Sequence, residues 1–264
     1  MPKHYEKFNG GRREENEGAD KTLICGRNAV TEALRSGANI DTLYISKTGG
    51  GSLPKISAMA SKLDIPVKQV DDRKLDNMCR GAAHQGCAAM LGCAEYSSID
   101  EILADAEQKG EPPFIIICDE IEDPHNLGAI IRTAETAGAH GIIIPKRRSA
   151  SLNYTVHKTS AGAASWVKVA RVPNLAAAVR ELKEHGVWVY GTDMDGDDVY
   201  STDLTGAVAL VIGSEGFGMS RLMRESCDFL ISIPMFGKIN SLNASVAAGI
   251  CMYEAVRQRK NKLK

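Results

Sequence analysis

Polar side chains follow runs of apolar residues at three places in this chain. The first place comes after the run FIIIC, where Pro124 and Asn126 suit a turn and an N-cap, and Gly128, Arg132 and Glu135 fall on one helical face at spacings of four and three. This stretch is consistent with a capped helix that carries an arginine–glutamate pair on its surface. The end of a buried strand is also where open α/β sheets bind ligands. Taken alone, the segment leaves both interpretations open.

A glycine-rich loop and a polar loop are the other two places. In GSEGFG, residues 213–218, the glycines let the backbone approach a ligand closely, and Glu215 is the single carboxylate. The loop lacks the GxGxxG order of a dinucleotide site, so by itself it is also consistent with a simple turn. At the third place a strand ends at Pro234, and a polar loop leads to Asn243, which could simply cap the final helix.

Alternating strands and helices must position these loops. From residue 113 onward, β-branched runs without polar alternation lie between helical stretches. Strands of this kind are buried on both faces, so the pattern predicts an α/β fold with a mostly parallel, Rossmann-like sheet. The expected strands are FIIICDEI, GIIIP, VKVARV, VWVYGTDM, AVALVIG and FLISIPM, and the expected helices span 126–137, 175–185 and 243–259.

A smaller unit is expected before this sheet. Residues 22–96 alternate between helical stretches and the strand-like runs TLYIS, PVKQV and CAAML, which predicts a small α/β domain. Residues 97–112 combine a helical pattern with a Gly/Pro break and are typical of a linker, and residues 113–264 make up the second domain. Residues 1–21 show no apolar periodicity, so we expect a flexible tail.

The composition is that of an ordinary globular protein, with 44% apolar and 25% charged residues among 264. A net charge of −1 gives no overall attraction to nucleic acid, so any nucleic-acid binding would have to depend on local basic patches such as 146–148. Seven scattered cysteines without a CxxC pair argue against a disulfide framework and a zinc site. The chain lacks a signal-peptide pattern and any apolar run that could span a bilayer, so we expect a cytoplasmic protein with no membrane partner.

Together, the three polar segments are more specific than any one of them. They resemble the motifs of the SpoU family of RNA ribose 2'-O-methyltransferases: N-x(5)-R-x(2)-E, a G-x-E-G loop, and IPM-x(3-5)-SLN-x-S, in that order. The matching residues are Asn126, Arg132, Glu135, Gly213, Glu215, Gly216, Ile233, Met235, Ser241, Leu242, Asn243 and Ser245. The segments 25–30 and 84–86 also resemble the RNA-binding domain of a family subset that includes the large-subunit rRNA guanosine 2'-O-methyltransferases.

The resemblance implies a fold, a cofactor and partners. Members of the family fold the C-terminal domain into a deep trefoil knot, pair as homodimers through the knot region, and use S-adenosylmethionine. The implied RNA is 23S rRNA or an assembling large ribosomal subunit. The implied cofactor residues are Gly213, Ile233, Leu242, Thr192, Met194, Gly216, Met235 and Ser245.

The resemblance also implies catalytic roles. Methyl transfer needs a hydroxyl oxygen that is made more anionic, aligned with the methyl group and sheltered from water. Arginine stays protonated in proteins, so Arg132 is implied to stabilise the developing 2'-oxyanion and to hold a phosphate rather than to act as a base. Asn126 and Asn243 would orient the ribose and the loops. Glu215 would orient the asparagine or arginine partners, and Glu135 would position Arg132. The implied catalytic set also includes Ser241, and the implied RNA-binding residues are Arg27, His84, Arg132, Lys146, Arg147 and Arg148.

Other functions remain open at this point. A nucleotide-dependent oxidoreductase would share the alternating pattern, but its glycine loop should follow the first strand, whereas here it comes late. A catalytically inactive RNA-binding module would keep the fold without the reaction. Within the family, a tRNA ribose methyltransferase and an antibiotic-resistance rRNA methyltransferase are the nearest alternatives.

Overall fold

A small mixed sheet forms the first of two α/β domains in the computed structural model, which describes residues 23–92 and 95–262. The elements of this domain are β1 (Leu23–Cys25), α1 (Arg27–Arg35), β2 (Ile40–Ser46), α2 (Leu53–Lys62), β3 (Val67–Val70), α3 (Asp72–Cys79) and β4 (Cys87–Leu91). The strand order is β1-β4-β2-β3, and only the β2–β3 pair is parallel. The predicted small α/β domain is therefore confirmed. The expected tail, residues 1–21, lies outside the described residues.

A larger parallel sheet forms the second domain. Its elements are α4 (Ile99–Lys109), β5 (Phe114–Cys118), α5 (Pro124–Thr136), β6 (Gly141–Pro145), α6 (Tyr154–Thr159), a 3₁₀ turn (Ala163–Ser165), β7 (Lys168–Val172), α7 (Leu175–Glu184), β8 (Trp188–Asp198), β9 (Val208–Ile212), α8 (Arg221–Ser226), β10 (Phe229–Ser232) and α9 (Ala244–Lys262). The strand order is β10-β8-β9-β5-β6-β7, and each neighbouring pair is parallel. This is the parallel α/β sheet that the apolar runs predicted.

Strand β5 shows why this sequence forms a sheet covered on both faces. All five residues of FIIIC are buried. Successive side chains point to opposite faces of a strand, so Phe114 and Ile116 belong to one apolar core while Ile115 and Ile117 belong to another. Side chains of α5 and α9 complete the first core, and side chains of α4 and α7 complete the second. A run without polar alternation is what a strand between two helical layers requires.

The carboxyl ends of the central strands bring the three polar segments together. Strand β5 leads into α5, β9 leads into the glycine-rich loop, and β10 leads into the loop before α9. Because the strands are parallel, these loops share one edge of the sheet. Strand β8 adds a bulge there: Gly191 pairs with Leu230, but Asp197 pairs with the next residue, Ile231, so that residues 192–196 loop out.

The segment 97–112, expected as a linker, is a packed helix. Helix α4 begins with a capping box, in which Ser98 Oγ accepts from the Glu101 amide at 3.2 Å and the Glu101 carboxylate accepts from the Ser98 amide at 2.7 Å. Its inner side chains are buried, namely Ile99, Ile102 and Ala106. Ser97, just before the helix, forms an isolated bridge with Ala170 of β7. The apolar side of α4 thus joins this segment to the core of the second domain, which corrects the linker prediction.

A buried polar network connects the two domains. Arg171 on β7 lies 2.8 Å from the Asp41 carboxylate on β2, and the two side chains are only 11% and 2% exposed. Ser151 Oγ also donates to this carboxylate, and Tyr96 Oη lies 3.3 Å from it. The Arg171 guanidinium lies over the Tyr96 ring, 5.2 Å from its centroid. A buried charge is stable only when it is paired and hydrogen-bonded, so this network fixes how β2 contacts β7.

Three short helices were not predicted from the sequence pattern: α3, α6 and α8. Each has only six to eight residues, which is too short for a clear helical period. Helix α6 depends on a cap, because Asn153 Oδ1 accepts from the Val156 amide at 3.0 Å. Helix α9 extends to Lys262, slightly beyond the predicted end at 259.

Candidate active site

Three side chains from distant parts of the chain form one hydrogen-bonded cluster. Asn126 Nδ2 donates to Glu215 Oε1 at 2.9 Å, and Asn243 Nδ2 donates to Asn126 Oδ1 at 2.9 Å. Asn243 Nδ2 also donates to Glu215 Oε1, and the Ala244 amide lies 3.3 Å from the same oxygen. The structure therefore brings one residue from each of the three polar segments into direct contact. We call these three residues the Asn–Glu–Asn cluster.

Helix starts hold the two asparagines in place. Asp123 caps α5 by accepting from the His125 amide at 3.0 Å, and Pro124 occupies the first turn, so Asn126 sits at a fixed helix start. Asn243 precedes α9, and its Oδ1 accepts from the Ser245 amide at 3.0 Å and from Ser245 Oγ at 2.6 Å. Asn243 is thus the cap that the sequence suggested and a member of the cluster as well.

A tight turn presents Glu215. Ser214 and Gly218 exchange both backbone hydrogen bonds, at 2.9 and 3.0 Å, across the loop after β9. Gly216 and Gly218 adopt φ values of 88° and 67°, which other residues rarely adopt. A side chain on Gly213 would overlap the backbone of Gly218. The glycines of this loop are therefore required by the turn and by the close packing of the strand end against it.

A pocket of about 330 Å³ opens beside the cluster. Its walls are formed by the ends of β5 and β9 and the start of α5, with lining residues Glu120, Ile121, Glu122, Asp123, Asn126, Ser214, Glu215 and Phe217. Two cluster members, Asn126 and Glu215, belong to this lining. A concave site with a few convergent polar groups at the carboxyl edge of a parallel sheet is the usual position of an active site.

Arg132 and Glu135 lie on α5 but outside the pocket lining. Both are exposed, and within the described residues no ion pair joins them. Arg132 is six residues beyond Asn126, which is about 9 Å along a helix and roughly 240° around it. Arg132 therefore lies on a different side of α5 from Asn126 and does not line the pocket of its own chain. The interaction expected between Glu135 and Arg132 is not formed.

Family comparisons agree with this arrangement. The SpoU rRNA Methylase family matches residues 113–253, which is more than half of the chain. The chain belongs to the SpoU methylase family. A second family, described as RNA 2'-O ribose methyltransferase substrate binding, matches residues 23–97 of this SpoU methylase, the region of its small domain.

Relatives of this SpoU methylase match it along nearly the whole chain. A Bacillus subtilis (strain 168) protein, YacO, named for the TrmH family of tRNA/rRNA methyltransferases, is 49% identical over 89% of this chain and 95% of its own. A Staphylococcus haemolyticus protein named for the same family is 46% identical over 90% of this chain and 96% of its own.

Solved structures of SpoU enzymes share the fold. The SpoU methyltransferase AviRb from Streptomyces viridochromogenes, in complex with AdoMet, aligns with a TM-score of 0.58 and 26% identity over 90% of each chain. An AdoMet-bound rRNA methyltransferase from Sinorhizobium meliloti aligns with a TM-score of 0.54 and 26% identity over 89% of this chain and 87% of its own. This SpoU methylase therefore has the knotted fold of its class and is an S-adenosylmethionine-dependent RNA methyltransferase.

The loops at the carboxyl edge of the sheet fit this cofactor. Met194, in the β8 bulge, and Met235, after β10, are exposed, while Ile233 and Leu242 are half-buried. Thr192 Oγ1 donates to the Val211 carbonyl at 2.9 Å and so ties the bulge to β9. Apolar side chains beside main-chain polar groups are what an adenine ring with polar edges requires. These residues, with the Gly213 and Gly216 backbone, could hold the cofactor. Ser245 is already engaged with Asn243.

In the small domain, Arg27 and His84 lie in neighbouring parts of one surface. Arg27 Nε donates to the Gln85 carbonyl at 2.8 Å, and the Arg27 amide donates to Gln85 Oε1 at 3.2 Å. His84 Nδ1 accepts from the Gly86 amide at 3.0 Å, and His84 Nε2 lies 3.0 Å from Asp76 Oδ1. Both side chains therefore help to fix the 84–86 loop, in addition to any contact they make with RNA.

The predicted basic patch at 146–148 is partly neutralised by carboxylates. Lys146 pairs with Asp64 of the small domain, and Arg148 pairs with Glu120 at 2.8 Å. Lys146 therefore contributes to the contact between the domains. Of the three residues of this patch, only Arg147 has no acidic partner among the ion pairs of the described chain.

Some site residues were not identified from the sequence. The pocket residues Glu120, Glu122 and Phe217 belong to no motif. Asp119 is buried at the end of β5, and its Oδ2 accepts from the Ser220 amide at 2.6 Å, which links the strand to α8. Burial raises the pKa of the Asp119 carboxyl, although the Ser220 hydrogen bonds oppose this. The signal that could have revealed Asp119 is a carboxylate placed directly after an otherwise apolar run.

Within the described residues, no helix has the length and apolar character needed to cross a membrane. The same part of the chain contains no group of three or more side chains suited to hold a metal ion.

Proposed function

We propose that this enzyme methylates the ribose 2'-hydroxyl of a guanosine in 23S rRNA. The observation that supports it most is the Asn–Glu–Asn cluster, which places oriented amides and a carboxylate at the wall of a pocket. The small domain supports ribose as the acceptor, because its match is described as RNA 2'-O ribose methyltransferase substrate binding. Such a substrate also favours a cytoplasmic location.

The coverage of the structural matches favours rRNA over tRNA. The Sinorhizobium meliloti rRNA methyltransferase matches 89% of this chain, so the small domain is included. The A. aeolicus TrmH/SpoU tRNA modifying enzyme, at 32% identity and a TM-score of 0.54, matches only 58% of this chain. Since the extra domain accompanies the rRNA enzyme, rRNA is our first candidate. A tRNA substrate is the second candidate, because the catalytic part also resembles the tRNA enzyme.

The cluster leaves two polar groups available for a ribose. Glu215 Oε1 accepts from the cluster amides, while no hydrogen bond within the described residues occupies Glu215 Oε2. Asn126 Nδ2 has a second hydrogen after donating to Glu215. Asn243 uses its groups within the cluster and in the cap of α9.

These two groups suit a 2'-hydroxyl. In the reaction we propose, Glu215 Oε2 accepts the hydroxyl hydrogen and Asn126 donates to the ribose, so the oxygen is oriented and made more anionic. When bound, S-adenosylmethionine supplies a methyl group activated by a sulfonium. Gly213, Gly216, Thr192, Met194, Ile233, Met235 and Leu242 are our candidates for holding this cofactor next to the ribose. Ser241, which is exposed in the loop before α9, is a candidate for contact with the ribose or cofactor.

Arg132 is our candidate for holding a backbone phosphate near the reacting ribose. Its exposed guanidinium has no ion pair within the described chain, so it can make a charge-assisted contact. Since Arg132 does not line the pocket of its own chain, its position favours a homodimer in which it serves the partner's pocket. Exposed Val246 and Tyr253 on α9 support such an interface. Sedimentation should show a dimer, and mixing inactive Asn126→Ala and Arg132→Ala chains should restore activity; a monomer would contradict the proposal.

The reaction can be tested with labelled cofactor. The protein is incubated with methyl-labelled S-adenosylmethionine and unmodified 23S rRNA or tRNA, and the labelled nucleoside is identified by mass spectrometry. We expect 2'-O-methylguanosine from rRNA, and no product from RNA with 2'-deoxyguanosine at that position. Label in tRNA alone would support the second candidate, and a methylated base would contradict ribose methylation.

A further inference from the structure

An exposed aromatic ring stands at the mouth of the pocket. Phe217 is 93% exposed, although large apolar side chains are normally covered. It lies between Gly216 and Gly218 in the turn closed by the two Ser214–Gly218 backbone hydrogen bonds. The Ser214 hydroxyl adds a third link to the Gly218 carbonyl at 3.2 Å. The turn therefore holds the ring outward on a well-defined backbone.

The position of Phe217 relates it to the substrate. It lines the same pocket as Asn126 and Glu215, the residues with polar groups left for a ribose. The wall formed by Glu120, Glu122 and Asp123 is acidic, and the lining residues include no cation; Arg148, which pairs with Glu120, lies outside the lining. An acidic wall repels phosphate but tolerates an uncharged base and a ribose. A nucleotide should therefore enter with its base and ribose first and its phosphates outside.

We propose that Phe217 stacks on the base of the nucleotide whose ribose is methylated. This inference rests on the proposed function, because it assigns a base-binding residue to the same pocket. Proteins that act on single-stranded RNA splay out a base and stack it on an aromatic ring. Because every base has a π face, stacking positions a nucleotide without selecting its identity. Phe217 would thus hold the ribose against Asn126 and Glu215.

Substitutions at Phe217 separate stacking from general apolar contact. Phe217→Ala should raise the KM for RNA by about 5- to 150-fold, the range that base stacking supplies, without changing cofactor affinity by more than about twofold. Phe217→Tyr and Phe217→Trp should retain nearly normal KM, and Phe217→Leu should behave like alanine. Trp166→Ala is the matched control, since Trp166 is also exposed but lies outside the pocket lining.

The possible outcomes are distinct. Wild-type KM in Phe217→Ala, or equal KM values for the leucine and tyrosine variants, would overturn the stacking proposal. A shift of Phe217→Ala to a smaller species in sedimentation would overturn it too, because the ring would then be an interface contact. If the wild-type protein methylates no RNA, the proposed function fails instead. Thermal unfolding should be unchanged in Phe217→Ala, since the ring is exposed.

Discussion

The carboxylate of Glu215 offers a direct test of the Asn–Glu–Asn cluster. Changing Glu215 to glutamine keeps the size of the side chain and one oxygen, but removes the charge and replaces the other oxygen with a donor. The retained oxygen can still accept from Asn126 and Asn243, which donate to Oε1 in the native cluster. The oxygen that we assign to the 2'-hydroxyl hydrogen is lost.

The size of the effect follows from these contacts. Hydrogen bonds to a charged group contribute about 1.5–3 kcal/mol and neutral ones about 0.5–1.5 kcal/mol, so each cluster bond should weaken by roughly 1 kcal/mol. Two such bonds give about 2 kcal/mol in total. A small difference for each bond is appropriate, because Glu215 is exposed to solvent and its charge is screened there. If this loss is felt in the transition state, kcat/KM should fall roughly 30-fold. Loss of the acceptor oxygen adds to that decrease.

The assay is a steady-state measurement of methyl transfer to RNA, with circular dichroism to confirm folding. The matched control is Glu225→Gln on α8, because Glu225 pairs with exposed Arg221 at 2.8 Å on the surface. We expect the control to retain kcat/KM within about twofold, since surface ion pairs contribute little. A folded Glu215→Gln enzyme with the turnover of wild type would refute the role of the cluster.

Two further predictions concern stability. Arg171→Met leaves the buried Asp41 carboxylate without its cation, so the free energy of unfolding measured in urea titrations should fall by about 3 kcal/mol. This is the low end for breaking a buried ion pair, because Ser151 still donates to the Asp41 carboxylate. A decrease no larger than that caused by Arg221→Met on the surface would disprove this. His140 is buried, its Nδ1 accepts from the Phe114 amide at 3.0 Å, and burial lowers its pKa. The unfolded chain therefore binds more protons than the folded chain, so the protein should lose stability as the pH falls below about 6.5. His140→Gln should make the unfolding temperature depend less on pH in this range. An unchanged pH dependence would contradict the role of His140.

Much of the fold could be predicted from local pattern. Runs such as FIIIC have no polar alternation, so they indicated strands buried on both faces, and the structure buries all five residues of that run. Each of the three polar segments follows a predicted strand, and a parallel sheet places the carboxyl ends of its strands at one edge, where ligands bind. That Asn126, Glu215 and Asn243 lie near one another was implied by the family motifs, and the structure confirms their direct contact.

Features that depend on distant parts of the chain could not be predicted in this way. Asp41 and Arg171 are 130 residues apart, and neither stands in a motif that would indicate a buried pair. The family motif implied that Asn126 and Arg132 share a site, yet six residues rotate them to different sides of α5. Phe217 also gave no signal, because a sequence does not show whether an aromatic residue in a loop is covered.

The way in which Ser97 and α4 cover strand β7 has a practical consequence for dividing the protein. Strand β7 is an outer edge of the large sheet, and Ser97 pairs with its Ala170. A fragment starting at residue 113, where the SpoU methylase match begins, would lack this cover and the buried side chain of Ile102. An uncovered edge strand is a template for pairing between molecules, so that fragment should aggregate. A soluble catalytic fragment therefore has to start upstream of Ser97.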